Sequence, residues 1–246
     1  MSSTSSIEST DDLKCQDAEI VSWLAGRVDE LLERMKQEPF WLTVTDPTTP
    51  DHVVQAIMRE IYLEIVGYQP HVIEAAIASI AQLPRSMKPK MIRSMLYHQA
   101  DEWDHGEMAL RDFVNMGGDE TYARNLPMSP PSFAVAGVWW MITQLRDPFA
   151  YIDALYLFEG LTPIVTDAVK EGLRAKGMRE DQLEYVEFHS TEDLKHARLV
   201  NHLIAEVVSS YPEALDSVQR GYEYFEAVYP IPVWRTAYER AMRSDA

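Results

Sequence analysis

Two short stretches of the chain place histidines and carboxylates where an amphipathic helix ordinarily carries leucine. In FHSTEDLKHARLV, residues 188–200, His189, Asp193 and His196 follow one another at steps of four and three. On an α-helix those steps return to within about 40° of the starting direction, so the three side chains share a face. Val186 precedes them on that face and Val200, Leu203 and Val207 follow, so the polar trio interrupts an apolar stripe. In HQADEWDH, residues 98–105, His98, Glu102 and His105 repeat the spacing between Met91, Met95 and Ala109. Ionisable groups on a buried seam are costly unless something pairs them. A metal ion pairs them all at once.

A further carboxylate, Glu159 in YIDALYLFEGLTP, continues the stripe of Ile152 and Leu155, and Gly160 and Pro163 behind it predict a kink. Imidazoles and carboxylates without thiolates suit iron or manganese. Paired Glu-x-x-His motifs projecting inward from helices are one way to build a two-metal carboxylate site. Glu102-x-x-His105 and Asp193-x-x-His196 have that form, Glu159 could bridge or terminate the metals, and His189 completes the set. An open position would be left for dioxygen. His98 lies on the ligand face, where coordination and a supporting hydrogen bond to a ligand both fit. His52 and His71 read as structural residues, His202 as a solvent position, and Asp101 and Asp104 as solvated. Trp139 and Trp140 in FAVAGVWWM read as core before substrate wall.

The elements that must carry these residues are helices. Apolar residues recur at three and four in QDAEIVSWLAGRVDELLERMKQ and again from Asp51 to Leu83, with an interruption expected at Gly67 to Pro70. Further helical runs are Lys88 to Met116, Pro131 to Leu145, Pro148 to Lys176, Glu180 to Ser209 and Pro212 to Arg243. Segments such as PRSMKP, GGDETYARNLPMSPP and AKG punctuate them with Pro and Gly. No period-two strand series appears. The expectation is an all-α single domain of about seven helices over residues 15–246, after a polar, disordered tail at residues 1–14.

At 246 residues and 46% hydrophobic content the chain can bury a sizeable core. A formal charge of −17 sets its field against phosphate backbones and anionic membranes, so neither nucleic acid nor membrane is an expected partner. Cys15 is alone, which excludes a disulfide framework, and no apolar run is long enough for a bilayer. The expected setting is cytoplasmic. The expected partners are a small-molecule substrate and at most a second copy of the chain in a homodimer.

With these residues in place the chain resembles the heme-oxygenase-like diiron oxidases, related in fold to heme oxygenase and the thiaminase-like proteins. Glu102-x-x-His105, Glu159 in an FEG context and His189-x3-Asp193-x2-His196 carry the resemblance, over roughly residues 40–229. It implies a seven-helix bundle in which Glu102, His105, Glu159, His189, Asp193 and His196 bind two ferrous ions, with Glu102 or Glu159 as the bridging carboxylate. It further implies reaction with O2 to a peroxo-diferric species that attacks a small molecule in a biosynthetic step. Fatty-acid decarboxylation, amino-acid desaturation or fragmentation, and N-oxygenation of amines all occur in such a family. An N-oxygenase of an amine or amino acid on the same diiron site is the first alternative, and a ferritin-like iron protein, with Glu60, Glu64 or Glu74 as its early-helix carboxylate, is the second. A thiaminase-like hydrolase would need a well-placed cysteine, and a heme protein would leave the carboxylates without a purpose.

Overall fold

The structure is a computed structural model that describes residues 19–191 and 193–244, the side chains at 153, 193, 194 and 244 excepted. The tail expected at residues 1–14, Cys15 and the side chain of Asp193 therefore lie outside the described residues.

Every regular element described is helical. In chain order they are α1 Glu19–Met35, α2 Pro39–Thr45, α3 Asp51–Ile80, α4 Pro89–Asp101, α5 His105–Asn115 and α6 Glu120–Asn125. There follow α7 Pro130–Leu145, α8 Ala150–Ala175, α9 Glu184–Thr191, α10 Asp193–Ser210, α11 Ala214–Val228 and α12 Ile231–Ser244. Two long helices organise the rest. α3 packs against α5, α7 and α12, and α8 packs against α9, α10 and α11. Contacts between α5 and α9 join the two groups, and the ligand-bearing residues collect there.

Local chemistry sets several ends. Pro39, Pro89 and Pro130 open α2, α4 and α7, where a missing N–H costs nothing. Ser129 caps α7 by accepting from Ser132 N, and its own hydroxyl donates to the buried Glu64 at 2.5 Å. Glu64 is in turn paired with Arg240 of α12 at 2.6 Å, so one carboxylate ties α3, α7 and α12 together. α5 ends in a Schellman turn, with Gly117 at φ +85° and bonds from Gly117 N to Val114 O and from Gly118 N to Phe113 O.

The count of about seven helices is too low: twelve α-helices stand among the described residues. Helices α2 and α6 are short pieces inside segments that read as loops. The run from Lys88 to Met116 divides at a turn of 3-10 helix, Glu102–Asp104, and the last run divides at Tyr229–Pro230. The interruption expected at Gly67 to Pro70 is absent, because α3 continues through Pro70. Tyr68, Gln69, Val72 and Ile73 are all buried around it, and tertiary packing of that kind outweighs one missing hydrogen bond. Pro163 likewise lies inside α8 without ending it. No helix among the described residues is long and apolar enough to cross a membrane.

Candidate metal centre

Glu102 and His105 sit where α4 gives way to α5 through the 3-10 turn. In 3-10 geometry residues three apart eclipse one another, which points the pair in the same direction. Glu102 Oε2 lies 2.7 Å from His105 Nδ1, and both residues are buried. Gly106, next along, packs its backbone against Gln69 of α3, where an added Cβ would stand 3.4 Å from the Gln69 Cβ. The start of α5 is therefore seated directly on α3.

His189 arrives from α9. Its Nδ1–H donates to the carbonyl of Tyr185 at 2.6 Å, which leaves Nε2 with its lone pair pointing at His105 Nδ1, 3.1 Å away. The Tyr185 ring stacks on the imidazole at 3.9 Å between centroids. Tyr185 is itself anchored: Asp112 accepts from Tyr185 N at 2.9 Å and from Glu184 N at 3.0 Å, satisfying the first amides of α9. Asp112 stands seven residues after His105 on α5. One helix thus carries a ligand candidate and the cap that orients another.

Glu159 comes from α8 and His196 from α10. Glu159 Oε1 is 3.0 Å from His98 Nε2, while His196 Nδ1 lies 3.3 Å from Glu102 Oε1 and 3.5 Å from Glu159 Oε2. Gln99 and Tyr151 stand behind His98, the amide nitrogen of Gln99 being 2.9 Å from its Nδ1 and 3.3 Å from the Tyr151 hydroxyl. Two groups result, one of His98, Glu102, Glu159 and His196, the other of Glu102, His105 and His189. Within each group ligand atoms lie inside 4.8 Å of one another, and Glu102 belongs to both.

Electrostatics follow from burial and proximity. Burial and the neighbouring His105 hold His189 down at about 4, so its ring is neutral at neutral pH. Burial opposes charge on His196, yet Glu102 and Glu159 outweigh it and raise that ring to about 10. Burial also works to raise Glu102, but His105 and His196 hold its carboxyl well below the usual carboxylate range. Without a metal, His196 is a cation bracketed by two carboxylates.

Glu102 Oε1 and Glu159 Oε2 are buried, make no hydrogen bond, and face one ring, with His196 Nδ1 3.3 and 3.5 Å away. Buried carboxylates and imidazoles gathered in this way are what a bound cation relieves. Their donor set of imidazole nitrogen and carboxylate oxygen fits iron. Residues 66–229 match the model of a family described as iron-containing redox enzymes. The chain belongs to that family. No curated protein matches it.

Two solved structures place this member of the family among heme-oxygenase-like folds. A domain of unknown function with a heme oxygenase-like fold from Shewanella denitrificans OS217 is 20% identical, with a TM-score of 0.71 over 97% of this chain and 94% of that one. A TenA homolog from Pseudomonas syringae pv. tomato str. DC3000 is 12% identical, with a TM-score of 0.66 over 99% of both chains. At these identities the likeness is one of fold.

In this redox enzyme the structure brings five of the six residues singled out by spacing into one cluster, Glu102, His105, Glu159, His189 and His196. Asp193, the sixth, opens α10, and its side chain lies outside the described residues. His98 joins the first group directly. Asp112 and Tyr185 escaped sequence reading, and the only signal was that Asp112 returns to the face of His105 two turns on. Trp139 is core, packed on Phe225 at 4.9 Å. Arg111, six residues after His105, is held at the surface by Glu184 and Asp104.

Proposed function

We propose that the chain is a non-heme, O2-dependent diiron oxidase or oxygenase acting on a small carboxylate-bearing molecule. The reactions in view are oxidative desaturation, decarboxylation or carbon–carbon cleavage. The observation that carries this reading is Glu102, a buried carboxylate common to two groups of ligand atoms. Such a residue is what a pair of neighbouring ions needs between them. His98, Glu102, Glu159 and His196 would hold one iron, and Glu102, His105 and His189 the other, with Asp193 a candidate by its spacing. Bound iron supplies the electrons and the open coordination positions that O2 chemistry requires.

The chain's own residues do the rest. The Tyr185 carbonyl keeps His189 in the Nδ1–H form, so that Nε2 faces inward. The ring of Phe188 packs edge-on against His105 and that of Tyr185 stacks on His189, holding both imidazoles in orientation. A storage reading loses support, because Glu60 and Glu64 are engaged by Arg240 and Glu74 is exposed.

The test is to load the metal-free protein anaerobically with ferrous iron, count bound metal, and mix with oxygenated buffer while following visible absorption. Two irons per chain and a coloured transient that responds to one member of a carboxylate panel are expected. His189→Ala and His196→Ala should each lose one iron while remaining helical by circular dichroism. Full occupancy in both variants, or no reaction of the loaded protein with O2, would sink the reading.

A further inference from the structure

Beside the metal centre lies a cavity of about 70 Å³, several times the space one water needs. Phe40 and Trp41 of α2, Ile61 of α3, Val165 of α8 and Trp234 of α12 form much of its wall, and no lining residue is charged. Three of the six lining residues that carry hydroxyls turn them to the backbone. Thr45 donates to Trp41 O at 2.8 Å, Thr166 to Thr162 O at 2.8 Å, and Tyr62 to Gln182 O at 2.9 Å. A cavity of this size with so little to offer water is apolar space and favours an apolar occupant.

Two observations connect it to the candidate ligands. Tyr185 lines the cavity and stacks its ring on His189 at 3.9 Å. Thr162 lines it from α8, one helical turn beyond Glu159. The helices that carry Glu159 and His189 therefore form one wall of the cavity.

We propose that this cavity receives the apolar tail of the substrate, which makes the substrate class a carboxylic acid bearing an uncharged hydrocarbon group. A small polar amino acid would leave this space empty. A charged group placed there would lose its hydration with no charged partner in the lining. The inference rests on the redox reading for what happens at the head group, whereas tail binding can be measured without turnover.

Straight-chain saturated carboxylates from butanoate to dodecanoate, titrated calorimetrically into the metal-free and iron-loaded full chain, test it. Affinity should rise about fourfold per added methylene until the cavity is full and then level off. Val165→Trp and Ile61→Trp fill the space from opposite walls, and each should flatten that rise while leaving iron stoichiometry unchanged. Affinity that does not depend on chain length in the unaltered protein overturns the proposal, as does a rise that survives in both variants. A chain-length rise in a protein that binds no iron would retain the tail pocket and remove the redox reading. Two bound irons with no chain-length rise would do the reverse.

Discussion

Asp112 holds the candidate centre together without touching a ligand atom. It accepts the first two amides of α9, and the second belongs to Tyr185, whose carbonyl and ring both fix His189. Asp112→Ala leaves two partly buried amides unpaired and removes a cap, which should cost about 1–2 kcal/mol. Chemical denaturation checks the stability, and iron titration of the same variant should show weaker binding in the group of Glu102, His105 and His189. His196 gives a dependence on pH. Its ring is raised from an ordinary 6.5 to about 10 by Glu102 and Glu159 against the pull of burial. The folded, metal-free protein thus binds a proton that the unfolded chain has released between those values. That stabilisation is complete below pH 6.5 and lost as pH climbs to about 10, so the metal-free melting temperature should fall across this window. Iron must displace the same proton, so loading should tighten as pH rises. That Glu102, His105, Glu159, His189 and His196 gather was legible in sequence, because ionisable groups on an apolar helical stripe stand out. Asp112 was not, because its partners are amides some seventy positions away.

At the scale of elements, periodicity identified the long helices and missed how they are broken. Nothing in HQADEWDH announces that the helix tightens to 3-10 geometry at Glu102, since the same spacing suits either form. Pro70 was read as an interruption because a proline inside a helix forfeits a hydrogen bond. The burial that carries α3 through it comes from partners far along the chain. Those partners include α5, whose Gly106 rests against Gln69 and Pro70. The far end of α5 depends on a different glycine. Gly117 holds φ +85° in the Schellman turn, a conformation unfavourable to side-chain-bearing residues. Gly117→Ala should lower stability by about 1 kcal/mol, seen as a shifted denaturation midpoint with unchanged iron stoichiometry. Gly106→Val should do the opposite in kind, disturbing iron binding because the residue follows His105 and meets α3.

Taken whole, the molecule suspends one cluster from the junction of α4 and α5 and from α8, α9 and α10. An ion bound there ties these helices to one another and binds the native state alone. Free metal a hundredfold above its dissociation constant should add about 2.7 kcal/mol, and a chelator should return the melting temperature to the metal-free value. The all-α class and the gathering of the candidate ligands were legible from composition and spacing. The number of helices was not, because short pieces such as α2 and α6 carry too few turns to show a period. The spread of the ligand candidates along the chain also orders events during synthesis. His98, Glu102 and His105 emerge early, Glu159 follows, and His189 and His196 come after three quarters of the sequence. No nascent chain shorter than that can assemble either group. An ion held by either full group could therefore bind only after synthesis has passed His189, when α1 to α8 have already been made.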